Sequence, residues 1–98
     1  MLSEIPAKFA NVKPEDLDKE ILRTGIIAEL DAISLYEQLA AITRNKNIKN
    51  VILDIAKEEK THVGEFQALL LKIDKEQKEE MEVGRKEVKK LTGIASLE

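Results

Sequence analysis

Residues 52–73 read ILDIAKEEKTHVGEFQALLLKI, and the spacing of this stretch decides the fold. Ile52, Ile55, Glu59, His62, Phe66, Leu69 and Ile73 recur three and four residues apart, the period of one helix face. A row of that kind faces inward in a helical bundle, yet two of its members are Glu59 and His62. An unpaired carboxylate among Ile and Leu costs several kcal/mol, so it should be protonated, paired or bound to a cation. The row is therefore both a core and a candidate site.

A second row lies upstream: Leu22, Ile26, Glu29, Ile33, Tyr36 and Ala40, spaced four and three apart. It too is interrupted by polar side chains, at Glu29 and Tyr36. Pro14 suits a first helical turn, with Glu15, Asp16 and Asp18 placing negative charge at the helix N-terminus. The pattern runs to about Thr43, with Gly25 its one weak position. Arg44-Asn45-Lys46-Asn47 is a polar break, and Asn47 is the expected N-cap of the next helix. Asp74 followed by Gln77 resembles a capping box that opens a third helix closing near Gly93. Its apolar face, Met81, Gly84, Val88 and Leu91, is thin enough to pack on a partner as readily as on its own chain. The expected organisation is an arm over residues 1–13, a helical domain over 14–93 and a tail over 94–98. The fold class is all-α: an antiparallel two-helix hairpin plus a short third helix, dimerising into a four-helix bundle.

Folding the hairpin at about Lys46 sets the polar residues at common height. Glu29 stands 17 residues before that point, while Glu59 and His62 stand 13 and 16 after it. At a rise of about 1.5 Å per residue, the three lie within roughly one helical turn of each other. Glu59-Lys-Thr-His62 is a Glu-x-x-His whose spacing puts carboxylate and imidazole on one face. Hard oxygen donors with one imidazole suit iron or manganese, admit zinc and disfavour calcium. Di-iron carboxylate bundles use a Glu from each of two helices and a Glu-x-x-His from each of two others. This chain supplies half of that set, and two chains about a two-fold axis supply all of it. The short hairpin therefore predicts a metal site at a dimer interface.

Composition removes other classes. The chain has 98 residues, so it forms one small domain, and it contains no Cys, which excludes disulfides, zinc ribbons and thiolate catalysis. A net charge of −3 without a basic stripe argues against nucleic acid. No secretory leader or membrane-spanning run is visible, so the expected location is the cytoplasm with no membrane partner. Asp31, Glu37, Glu58 and Glu65 read as solvated charges. Asp31 lies about 200° around the helix from Glu29 and so is not a ligand of the same metal. Facing solvent, it is a candidate for guiding Fe(II) into the site. Two competing readings are a non-catalytic assembly module, whose buried Glu and His fix dimer register, and a rubrerythrin-like peroxidase. The second is disfavoured because no Cys is present to build a rubredoxin-type iron site.

Residues 28–39, AELDAISLYEQL, together with residues 56–66, AKEEKTHVGEF, resemble the encapsulated ferritins, a branch of the ferritin-like superfamily related to rubrerythrins. The resemblance spans roughly Ile21 to Gly93. It implies that Glu29, Glu59 and His62 are metal ligands and that Tyr36 sits beside the di-iron centre as part of the catalytic site. It also implies ferroxidase activity at a two-fold dimer interface, a decamer of five dimers, and work inside an encapsulin shell that holds the mineral. In bacterial relatives further acids and a Trp flank the path of the incoming metal. Here Asp31 retains one acid, whereas Ala28 and Leu35 occupy the positions of another acid and the Trp. The tail Lys90-Leu-Thr-Gly-Ile-Ala95 resembles archaeal members fused directly to the shell protein.

Overall fold

Pro14 opens the helical run, but the turn it makes, Pro14–Asp16, is 3-10 rather than α. The computed structural model describes residues 9–97; the first eight residues of the expected arm, and Glu98, lie outside the described residues. A 3-10 turn at Phe9–Asn11 precedes Pro14–Asp16, and three helices follow: α1 (Leu17–Ile42), α2 (Lys46–Ile73) and α3 (Lys75–Thr92). Among the described residues there is no strand. The all-α hairpin with a third helix is thus the observed fold.

The hairpin turns through Thr43–Asn45, where Thr43 and Asn45 are both extended. Asn45, not Asn47, is the N-cap of α2. Its Oδ1 accepts from the backbone N–H groups of Asn47 at 2.9 Å and Ile48 at 3.0 Å. Asn47 already has helical neighbours on both sides, so its side chain has no free first-turn N–H ahead of it to bond. A cap of this kind contributes about 1 kcal/mol and fixes where α2 begins, hence the register of the two helices.

The inward rows are partly as expected. Leu22, Ile26, Ile33 and Tyr36 on α1, and Ile52, Ile55 and Phe66 on α2, are half-buried, while Ala40 and Ala56 are buried. Leu69 and Ile73 are corrections: Leu69 is 56% exposed and Ile73 is exposed too, whereas Leu70 is 6% exposed. The reason is α3. Leu70 lines the corner groove with Ile26, Ile27 and Met81, so at this end the position facing both α1 and α3 is the buried one. Asp31 is a second correction, being 7% exposed rather than solvent-facing. It lies nine residues before Ala40, about half a turn around α1, so α1 is covered on two opposite sides.

α3 projects from the hairpin instead of folding back along it, which gives extents of 45 × 44 × 19 Å. Met81 and Gly84 are half-buried, while Val88 and Leu91 are exposed, so only the first half of its thin apolar face meets the hairpin. Gly93, at φ 73°, ends the helix in the left-handed conformation that favours glycine.

Asp74 holds the corner between α2 and α3. Its Oδ1 accepts from the Gln77 backbone N–H at 3.0 Å and its Oδ2 accepts from Arg23 Nη2 at 2.9 Å, tying α3 to α1. The Gln77 N–H foremost, then the charges of Lys19 and Arg23, hold the Asp74 carboxyl below its ordinary value of 3.8 against the opposing effect of burial. A carboxylate whose acidity is raised by folding stabilises the chain fully above its unfolded value, and that contribution disappears as pH falls through the folded one. Asp74→Asn keeps a capping oxygen and removes the charge. The parent is expected to melt above Asp74→Asn at neutral pH, with the gap closing as pH falls through the lowered value of the folded Asp74 carboxyl. Equal melting temperatures at neutral pH would show that the charge of Asp74 contributes nothing.

Candidate metal centre

Three helix positions converge midway along the hairpin. Glu29 projects from α1, and Glu59 and His62 project from successive turns of α2. Each offers a donor atom, and these atoms all lie within 4.8 Å of one another. His62 Nδ1 stands 3.5 Å from Glu29 Oε2 and 3.4 Å from Glu59 Oε2, so the imidazole nitrogen faces both carboxylates. Among the described residues this is the one group of three or more His, Asp or Glu with such geometry. The register counted from the turn is the register observed.

Burial divides the cluster. The side chains of Glu29 and Glu59 are 19% and 21% exposed, while that of His62 is 43% exposed. The site is therefore walled on the hairpin side and open on the other. Glu29 Oε2 is buried and has no hydrogen-bond partner. A carboxylate oxygen removed from water without a donor costs on the order of 1–3 kcal/mol or more, and a cation at the cluster offsets that cost. Two carboxylates, one of which holds the orphaned oxygen, and one imidazole fit a hard divalent metal.

Other candidates fall outside the cluster. Tyr36 is half-buried on the Glu29 face, seven residues nearer the turn, or about 10 Å along the axis. Asp31 is buried and is not one of the converging groups. Glu37 is a surface charge, accepting from Lys60 Nζ at 2.8 Å across the two helices. The partnership of Arg23 with Asp74 left no signal in the spacing, since the two lie 51 residues apart.

The rubrerythrin family profile matches residues 20–96, which include the whole cluster. The chain belongs to the rubrerythrin family. It is 53% identical over 96 residues to a ferritin-like–encapsulin shell fusion protein of Pyrococcus furiosus, covering 96% of this chain and 28% of that protein. It is 38% identical over 56 residues to the encapsulin nanocompartment cargo protein EncC of Myxococcus xanthus, covering 57% of this chain and 43% of the other. The crystal structure of the encapsulated ferritin domain from Pyrococcus furiosus superposes with a TM-score of 0.82 at 51% identity, covering 98% of this chain and all of that one. The resemblance read from the two motifs is borne out. The chain spans less than half the length of either protein relative.

If the cluster takes a metal, binding stabilises the folded chain by mass action, about 2.7 kcal/mol at roughly a hundredfold excess over Kd. Anaerobic Fe(II) or Co(II) is expected to raise the melting temperature of the parent and not that of Glu29→Gln. Without metal, Glu29→Gln is expected to melt at or above the parent, because it removes a charge that has one oxygen buried without a hydrogen bond. Differential scanning fluorimetry on both proteins decides it.

Proposed function

We propose that this chain is a ferroxidase, oxidising Fe(II) to Fe(III) at a two-iron site formed across a two-fold dimer interface, for iron storage inside an encapsulin shell. The observation that carries the reading is the Glu29–Glu59–His62 cluster, with its buried unpartnered Glu29 oxygen. One chain supplies half of the ligand set that di-iron carboxylate bundles use, and the cluster is open on the side where a second copy would add the rest. Exposed Leu30, Ile42, Val51 and Leu69 give the hairpin more apolar surface than a lone chain of this size can afford. The shell association rests on the relatives, one a fusion to an encapsulin shell and the other an encapsulin cargo protein. A ring of five dimers within a cytoplasmic nanocompartment is the assembly we propose, and the encapsulated-ferritin likeness supports it.

Iron is the substrate here. Carboxylate oxygens from Glu29 and Glu59 interact more strongly with Fe(III) than with Fe(II), which lowers the cost of removing an electron. His62 fixes one nitrogen donor position, and Tyr36, assigned a role by the encapsulated-ferritin likeness alone, lies about 10 Å along the axis toward the turn. Two Fe(II) lose one electron each. Dioxygen that accepts both, with two protons, leaves as hydrogen peroxide; peroxide that accepts both, with two protons, leaves as two waters.

His62→Ala and Glu59→Ala are expected to slow Fe(II) oxidation by about a hundredfold or more while keeping helicity. Absorbance of the ferric product after anaerobic loading and exposure to air measures this, with solution mass measured in parallel. Parental rates in both variants, or a stable monomer that binds two irons tightly, would overturn the reading. An assembly module predicts instead that both variants change oligomeric state with or without metal.

A further inference from the structure

Gly25 lies four residues before Glu29 on α1, and Phe66 lies four residues after His62 on α2. In antiparallel helices these offsets run the same way, so the pair forms the layer next to the ligands, one helical turn away. The contact is close. A Cβ placed on Gly25 would stand 3.2 Å from Cε2 and Cζ of Phe66 and 3.3 Å from its Cδ2. The ring therefore rests against bare α1 backbone. At Gly64 and Gly84, in contrast, a Cβ would meet open space. A glycine inside a helix costs roughly 1 kcal/mol relative to Ala, and at Gly25 the aromatic ring occupies the room that the missing Cβ leaves.

We infer that the Gly25–Phe66 contact positions the metal cluster: the ring seated on Gly25 sets the separation and register of α1 and α2 one turn from Glu29 and His62. This rests on reading the cluster as a metal site. The 3.4 Å distance from His62 to Glu59 lies within α2, so helix geometry alone maintains it. The 3.5 Å distance from His62 to Glu29 spans the two helices and depends on how they pack. Displacing Phe66 by a few tenths of an ångström moves Glu29 relative to His62 and leaves the Glu59–His62 pair intact. Ligand sets tolerate only about 0.5 Å of such drift before binding suffers.

A double-mutant cycle tests this, with Co(II) as the probe, read by its visible absorption in anaerobic titrations. Helicity and solution mass are measured on every metal-free protein. Gly25→Ala is expected to weaken Co(II) binding about tenfold and to shift the visible band, with helicity and mass unchanged. In the Phe66→Leu background, where the ring edge is gone, the same change is expected to cost less than about twofold. An equal loss in both backgrounds, or a loss in neither, overturns the inference. Should Gly25→Ala fail to fold, Phe66→Leu alone decides: weaker binding with a shifted band supports the positioning role, and parental affinity with a parental band overturns it. A parent that binds no Co(II), or a His62→Ala variant that binds it as the parent does, refutes the metal reading itself. A parent that binds it without coupling between positions 25 and 66 refutes only the positioning.

Discussion

A carboxylate oxygen buried between two helices without a donor is the constraint around which this chain is arranged. Glu29 Oε2 has lost its water and gained no hydrogen bond. Its nearest polar company is His62 Nδ1, which Glu59 also faces. Left alone, such a group opposes folding by more than a helix cap contributes, so protonation, pairing or a cation must offset it. The rest of the hairpin serves to keep three donors at one height. Asn45 fixes the first residue of α2, the short turn at Thr43–Asn45 fixes the register, and Phe66 against Gly25 sets the distance between the helices. All three donors sit on helices rather than loops, where neighbouring turns hold them in place.

Two unrelated features support the proposed second copy of the chain. One is chemical: a single Glu-x-x-His and one facing Glu make half of the ligand set that the proposed two-iron site would use. The other is a shortage of core. Among the described residues, Ala40, Ala56 and Leu70 are the buried apolar ones, and large residues such as Ile42 and Val51 remain in water. Either feature alone has a simpler explanation. Together they make a partner whose own half-site meets this one the economical arrangement, since one association event covers apolar surface and completes the ligand set. α3, which stands away from the hairpin and is fixed at its base by Arg23 and Asp74, leaves the hairpin sides accessible for that purpose.

Much of this was readable from residue spacing because helices are one-dimensional objects. Period gave the two rows, and counting from the turn brought Glu29, Glu59 and His62 together. Asp74 and Gly93 marked the ends of α3 through capping chemistry that acts within a few residues. What was misread depends on a third body. Leu69, Leu70 and Leu71 point to three sides of α2, and period alone cannot choose among them; α3 selects Leu70. Asp31 points away from Ala40, but direction on a helix does not reveal what lies opposite, and that side of α1 proved covered. Asn45 and Asn47 are equal in composition, and only the extended backbone at Asn45 distinguishes the cap. Gly25 read as a local weakness because its reason, the Phe66 ring, is 41 residues away in the chain.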